Sequence, residues 1–267
     1  MIKLGVNSLM SCGYGFATAA ECIAEAGYDG VEIAAIKGMC EHLDLDCWQK
    51  QSKDLAGIAR ENGLEILSME EARPDEELAM RALEAAAEMS IPVVNVCSGG
   101  RAHVSGDFDR SVKMLRKVSL RAQKLGVSLC VKAHVGSAIC DTPSTLRAIG
   151  AIDSPAFGVD MDTSHIHRAG EIAEEALRKV VHKVKHIHIR DCMGRQRDPG
   201  PIRNQACGKG NIDLTAFCRE IVQKDYSGPV CLEVHGKDEG LGLAALSVIA
   251  AESYGFLNAC FRLLGVR

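Results

Sequence analysis

Two runs of the chain decide its fold: Ala156-Phe157-Gly158-Val159-Asp160-Met161-Asp162 and, after an intervening helical pattern, Val184-Lys185-His186-Ile187-His188-Ile189-Arg190-Asp191. Each reads as a short strand bounded by turn or polar residues, with apolar and ionisable side chains alternating along it. A strand, a helix and a second strand with no hairpin between them imply parallel pairing through a crossover. Working outward, the same unit recurs. Strands are predicted near Lys3–Asn7, Gly30–Ala34, Leu64–Met69, Pro92–Cys97, Val127–Lys132, Ala156–Met161, Val184–Ile189 and Pro229–Val234. Between them apolar residues recur at spacings of three and four, as at Leu55, Ile58 and Ala59, or Val112, Leu115, Val118 and Leu125. Helix starts are expected at Thr18, Asp75 and Asp213, and glycine C-caps at Gly27, Gly63 and Gly126. Eight such units fit an α/β fold, a single (β/α)8 TIM barrel. The alternative, a doubly wound open sheet, lacks its phosphate-cradling glycine pattern after the first strand.

The 267 residues, 47% hydrophobic and 25% charged, suit one globular domain spanning 1–267 and exclude disorder. A net charge of −4 gives no reason to expect nucleic acid or anionic lipid as a partner, and makes a small polar molecule the better default. The 12 cysteines form no C-x-x-C pair, and Cys97, Cys130 and Cys231 fall in apolar runs, as small core residues do. The N-terminus shows no export pattern, so a cytoplasmic location with reduced thiols is expected. The longest uncharged apolar run, Leu241–Ala251, is too short for a membrane span. The last helix, with Leu246, Ile249, Phe256, Leu257 and Phe261, offers apolar surface either to the barrel wall or to a homo-oligomer.

Alternation along the strands sorts their side chains into two faces. The face opposite the apolar one carries Cys130, Lys132 and His134 on the fifth strand, Asp160 and Asp162 on the sixth, His186 and His188 on the seventh, and Glu233 and His235 on the eighth. Glu32 and Glu70 extend the pattern to the second and third. The longest connections, 37–47, 99–107 and 191–211, all follow the C-terminal ends of strands, where barrels carry their active sites. Buried charges must be compensated. Asp162, His188 and Glu233 make a donor set suited to one divalent ion, Mn²⁺, Mg²⁺, Co²⁺ or Zn²⁺, with positions left open for substrate.

The strand endings Asp162-Thr163-Ser164-His165, His188-Ile189-Arg190-Asp191, Gly208-Lys209-Gly210-Asn211-Ile212-Asp213 and Leu232-Glu233 resemble those of the xylose-isomerase-like superfamily of sugar and sugar-phosphate isomerases and epimerases, which also holds dehydratases and apurinic endonucleases. The resemblance implies a metal held by a glutamate ending the fifth strand, the aspartate of D-x-x-H, the histidine of H-x-x-D and the glutamate ending the eighth. Three of these map onto Asp162, His188 and Glu233. At the fourth, where the family has Glu-Asn-His, this chain has Lys132-Ala133-His134. The segment Arg203-Asn204-Gln205 lacks the endonucleases' extra ligands, which argues against DNA repair.

Lys132 admits several roles. Beside a metal its pKa would fall, making it a general base, with Glu233 returning the proton. It could instead stay charged, replace the ion and pair with Asp162 and Glu233, or form a Schiff base with a keto sugar. It could also pair with Glu32 or Glu70 without chemistry. His165, from the resemblance, is expected to bind substrate hydroxyls, or else to orient Asp162. His134, Arg203, Glu70 and His235 are further substrate-binding candidates. The resulting expectation is a metal-dependent isomerase or epimerase acting on a keto sugar, cyclitol or related polyol by proton abstraction beside a carbonyl. Elimination by a dehydratase begins the same way, with Lys132 as base, and a catalytically silent sugar-binding barrel is the remaining alternative.

Overall fold

The computed structural model describes residues 1–235 and 241–267. Its barrel strands are β1 (Leu4–Asn7), β2 (Gly30–Ile36), β3 (Glu65–Glu71), β4 (Val93–Cys97), β5 (Ser128–Lys132), β6 (Phe157–Asp162), β7 (Val184–Ile189) and β8 (Val230–Leu232). Each pairs in parallel with the next, and β1 closes the ring by pairing with both β2 and β8: Gly5 lies opposite Gly30 on one side and Cys231 on the other. Closure excludes the open sheet. It also removes the exposed edges an open sheet would have to protect. All eight predicted strands are present. A two-residue antiparallel strand, Cys40–Glu41, folds back on Ile36 and Ala35 and had no signal in the periodicity.

The helices are α1 (Phe16–Glu25), α2 (Trp48–Glu61), α3 (Glu76–Glu88), α4 (Ser105–Leu125), α5 (Thr142–Ala151), α6 (Thr163–Arg168), α7 (Ala173–Val180), α8 (Leu214–Gln223) and α9 (Leu243–Leu263). Asp75 and Asp213 cap α3 and α8 as expected, accepting hydrogen bonds from backbone N–H groups of the first turn. Thr18 does not cap α1. The N-cap is Gly15, and Thr18 lies inside the helix. Gly27, Gly63 and Gly126 all have positive φ, the conformation that lets the chain leave a helix and enter the next strand. At the bottom of the ring Gly30 is obligatory for a different reason: a Cβ there would lie 2.4 Å from the Glu65 carbonyl and 2.6 Å from Leu67 Cγ.

Helix α9 runs past the uncharged stretch Leu241–Ala251. Only Glu252 and Arg262 interrupt its 21 residues, so by length and composition it could cross a membrane. Its inner face is nevertheless committed to the barrel. Leu246, Ile249, Leu257 and Phe261 are buried, Tyr28 Oη donates to the Ala250 carbonyl, and Ser253 Oγ accepts from Cys207 N–H. Most of the apolar stripe seen in the sequence therefore serves the barrel wall.

The aspartate of His188-Ile189-Arg190-Asp191 organises the long connection that follows β7. Asp191 Oδ1 accepts from Cys192 and Ile212 N–H and Oδ2 from Gly208 N–H, tying both ends of the 191–212 loop together. Gly210 has to be glycine beside it, since a Cβ would fall 2.2 Å from Asp191 Oδ1.

Candidate active site

The C-terminal ends of the strands converge on a buried charged cluster. Glu32, Glu70, Lys132, Asp160, Asp162, His186, His188, Arg190 and Glu233 are all at most 4% exposed. Strand alternation puts them there, one or two per strand, on the face away from the helices.

Below lies a scaffold of mutually satisfied groups. His186 bonds through Nδ1 to Asp160 Oδ1 at 2.9 Å and through Nε2 to Ser68 Oγ at 2.9 Å. His188 Nε2 bonds Glu32, which also accepts from Asn7 and Asn95. His188 is thereby fixed with Nδ1 2.7 Å from Asp160 Oδ2 and 4.0 Å from Glu233 Oε2. Burial disfavours the imidazolium, but Asp160 and Glu32 outweigh it and hold the His188 pKa well above its ordinary value.

Above the scaffold, Asp162, His188 and Glu233 each offer a donor atom within 4.8 Å of the others. Asp162 Oδ2, His188 Nδ1 and Glu233 Oε2 are buried and have no hydrogen-bond partner among the described residues. Asp160 Oδ2 is 2.7 Å from His188 Nδ1 but out of line for a hydrogen bond, and it is unpaired too. Asp162 Oδ1, by contrast, is saturated, accepting from Ser164 N–H, Ser164 Oγ and His165 N–H at the start of α6. Three buried donors of this chemistry left open toward one another fit a divalent ion with one imidazole and two carboxylate ligands. The other buried clusters of potential ligands, such as Glu32 with His186 and Cys231, spend most of their atoms on the scaffold.

Lys132 lies beside this cluster. Its Nζ is 2.7 Å from Glu233 Oε1, 2.9 Å from Glu70 Oε1 and 3.8 Å from Asp160 Oδ2. Burial would lower its pKa, but Glu233, Glu70 and the two aspartates prevail and hold it well above the ordinary lysine value. Lys132 Nζ thus pairs with Glu233, and with Glu70 rather than Asp162 as its second partner. Burial raises the Glu70 carboxyl to about 7 despite Lys132.

Glu70, Lys132, His134, His165, Glu233 and His235 line one inner chamber of about 100 Å³. His134, His165 and His235 also line an outer basin of about 340 Å³, together with Arg168, Arg190 and Arg197. Six of the residues singled out from sequence therefore share one chamber. Arg203 does not: it lies exposed on the short helical turn Ile202–Gln205 and lines neither space. Gln205, two positions on, is the residue of that turn that packs inward, bonding Arg190 and the His235 backbone. The arginines that do face the site, Arg168, Arg190 and Arg197, were not singled out from the sequence. Arg190 had a signal, since it belongs to the His188-Ile189-Arg190-Asp191 motif. Its Nη2 is 3.6 Å from both Asp162 Oδ2 and Glu233 Oε2.

The three histidines are neutral near pH 7. Burial, followed by Lys132 for His134 and Arg190 for His235, brings each of those two down to about 4. Burial also holds His165 well below the usual value. His165 Nδ1 accepts from Val135 N–H, and its Nε2 lies 3.2 Å from Arg190 Nη2 and 3.9 Å from Asp162 Oδ2. Neutral imidazoles that can donate or accept suit hydroxyl groups.

Comparison with known proteins agrees with this architecture. The profile of the xylose isomerase-like TIM barrel family matches residues 20–260. An inosose dehydratase of Clostridium perfringens is 30% identical over 131 residues, 45% of this chain and 44% of that protein. A 3-dehydroshikimate dehydratase of Pseudomonas putida is 26% identical over 233 residues, 80% of this chain and 35% of that protein. The matches span less than half the length of these curated relatives. Among solved structures, a D-tagatose 3-epimerase-like protein superposes with a TM-score of 0.81 at 21% identity, covering 99% of this chain and 98% of that one. A probable 3-DHS dehydratase of Bacillus anthracis gives 0.75 at 14% identity, covering 96% and 98%. With the closed ring, the strand-end cluster and this family match together, the chain belongs to the xylose isomerase-like TIM barrel family.

Proposed function

We propose that the protein is a dehydratase acting on a small polyhydroxy ketone, removing the proton beside the carbonyl and expelling a β-hydroxyl as water. One observation carries the choice: the Lys132 ammonium and the Glu233 carboxylate are in contact, 2.7 Å apart. Epimerisation takes a proton from one face of a carbon and returns one to the other, so it calls for two groups on opposite sides of the substrate. A base and an acid in contact suit departure of proton and hydroxide from the same face.

Asp162, His188 and Glu233 would hold a divalent ion, which when bound would polarise the substrate carbonyl and acidify the neighbouring C–H. Glu233 Oε1 takes that proton. Lys132 Nζ gives one to the departing hydroxyl. The Glu233–Lys132 hydrogen bond then carries the collected proton back to the lysine, so the pair is restored when water leaves. Glu70, bonded to Lys132 at 2.9 Å and with a pKa of about 7, keeps the ammonium in place. His134, His165 and His235 bind substrate hydroxyls. The sequence relatives named dehydratases support this reading.

The test is a panel of keto polyols and keto cyclitols incubated with the protein and Mn²⁺ in D₂O, followed by mass spectrometry and NMR. Dehydration predicts loss of one water from a substrate. Inversion at a carbon beside the carbonyl, with mass otherwise unchanged, would make the protein an epimerase instead.

A further inference from the structure

Cys130 and Cys231 are buried, as their apolar runs imply, but Cys97 is only partly so. Height in the barrel accounts for the difference. Cys130 lies level with Asn95 in the packed scaffold, whereas Cys97 ends β4 two residues higher, level with Lys132 on β5. Asn95 and Cys97 share the inward face of their strand; Asn95 spends its amide on Glu32, and Cys97 Sγ touches Ser137 Oγ at 3.5 Å. Cys97 is the one cysteine among the described residues that lines the inner chamber, where Glu70, Lys132 and Glu233 also face. The chamber is open to a ligand on separate grounds. Glu233 is 3% exposed, and its Oε2 has no hydrogen-bond partner among the described residues. In a space of about 100 Å³, a molecule that reaches Glu233 also meets Cys97.

We propose that Cys97 is a covalent modification site for α,β-unsaturated ketones held in the inner chamber. A thiolate is the attacking form of cysteine. Its sulfur bonds the β-carbon, the π pair of the C=C moves to the α-carbon as an enolate, and that carbon takes up one proton for the one the thiol released. Nothing leaves, and no oxidant or reductant is consumed. Expulsion of a β-hydroxyl from a ketone leaves a C=C conjugated with the carbonyl, so the immediate product of dehydration belongs to this class. That link rests on the proposed dehydration; the reaction of the thiol with an enone does not. A thioether on Cys97 occupies the chamber, so accumulated product would shut the protein off.

The probe is 2-cyclohexen-1-one at pH 8, with adducts located by peptide mass mapping. Cys97 should react at a rate that saturates with probe concentration, because the ketone is held beside the sulfur before the bond forms. At low probe it should react about tenfold or more faster than the exposed Cys12, whose rate should rise in simple proportion to the probe. Cys97 left unmodified while Cys12 reacts, or modified at a linear rate no faster than that of Cys12, would overturn the site. Both thiols are read in the same wild-type chain, so the result does not depend on a variant that folds. With a substrate found in the dehydration panel, turnover should leave on Cys97 the mass of that substrate less one water. Marking by the probe but not by this product would overturn the shut-off. If the probe marks Cys97 but no keto polyol loses water, the dehydration reading falls and the site stands. If a substrate loses water and neither its product nor the probe marks Cys97, the site falls and the dehydration stands.

Discussion

Lys132 Nζ and Glu233 Oε1, at the ends of β5 and β8, meet at 2.7 Å across the mouth of the barrel. The contact joins strands that are not neighbours in the ring.

Replacing that cation separates chemistry from metal binding. Lys132→Glu supplies a fourth donor, the third carboxylate, and removes the acid. Its affinity for Mn²⁺, measured by calorimetry, should rise, while turnover should fall by about 10²–10⁴-fold, the usual worth of a positioned acid or base. Retained turnover would make Lys132 a bystander.

Lys132→Met tests the energetic side. It leaves Glu70 and Glu233 buried without their shared counter-charge, a situation that typically costs about 3–5 kcal/mol. The midpoint of thermal unfolding should drop by about 6–20 °C for a chain of this size. Added divalent ion should recover part of the loss, because it restores positive charge beside Glu233.

Glu71 gives the fold a pH dependence away from the chemistry. Burial raises its carboxyl to about 8, with the Arg73 backbone N–H opposing, and its Oε2 has no partner among the described residues. The folded pKa lies above the unfolded one, about 4.3, so between those values the folded chain holds a proton that the unfolded chain releases. The contribution is therefore complete below about pH 4 and is lost as pH rises through about 8. Glu71→Gln should match wild type at pH 5 in urea unfolding less closely than at pH 4, and should exceed it in stability at pH 9. Parallel stability curves across that range would refute the assignment.

Gly30→Ala should destabilise by at least about 1–3 kcal/mol, since the new methyl meets the Glu65 carbonyl and Leu67, and the barrel floor has no room to shift. Gly57→Ala, where a Cβ meets nothing within 4 Å, is the matched control and should be neutral or stabilising.

Much of this was legible in the sequence because barrel strands have a strict two-residue period. Once Ile187 and Ile189 are assigned to the wall, His186 and His188 have to face inward, and the same logic placed Glu32, Glu70, Lys132, Asp160, Asp162 and Glu233. Periodicity does not reach into loops. Arg197 faces the basin and Arg203 does not, although both sit in the long connection after β7, where the Asp191 and Gln205 hydrogen bonds rather than a periodic pattern set which residues turn inward. Arg168 was missed for a related reason: α6 is a six-residue helix, too short for a helical pattern to show which face meets the site. Helix α9 extends past the uncharged run because Glu252 and Arg262 are the only charged residues among its 21.

The open atoms of Asp162, His188 and Glu233 are expected to bind one divalent ion. Titration of the metal-stripped protein with Mn²⁺, read by calorimetry, should give about one ion per chain, with binding lost in Asp162→Ala and His188→Ala and folded protein confirmed by circular dichroism. Folded wild-type protein that takes up no Mn²⁺, Co²⁺, Zn²⁺ or Mg²⁺, or variants that bind as well as wild type, would contradict it.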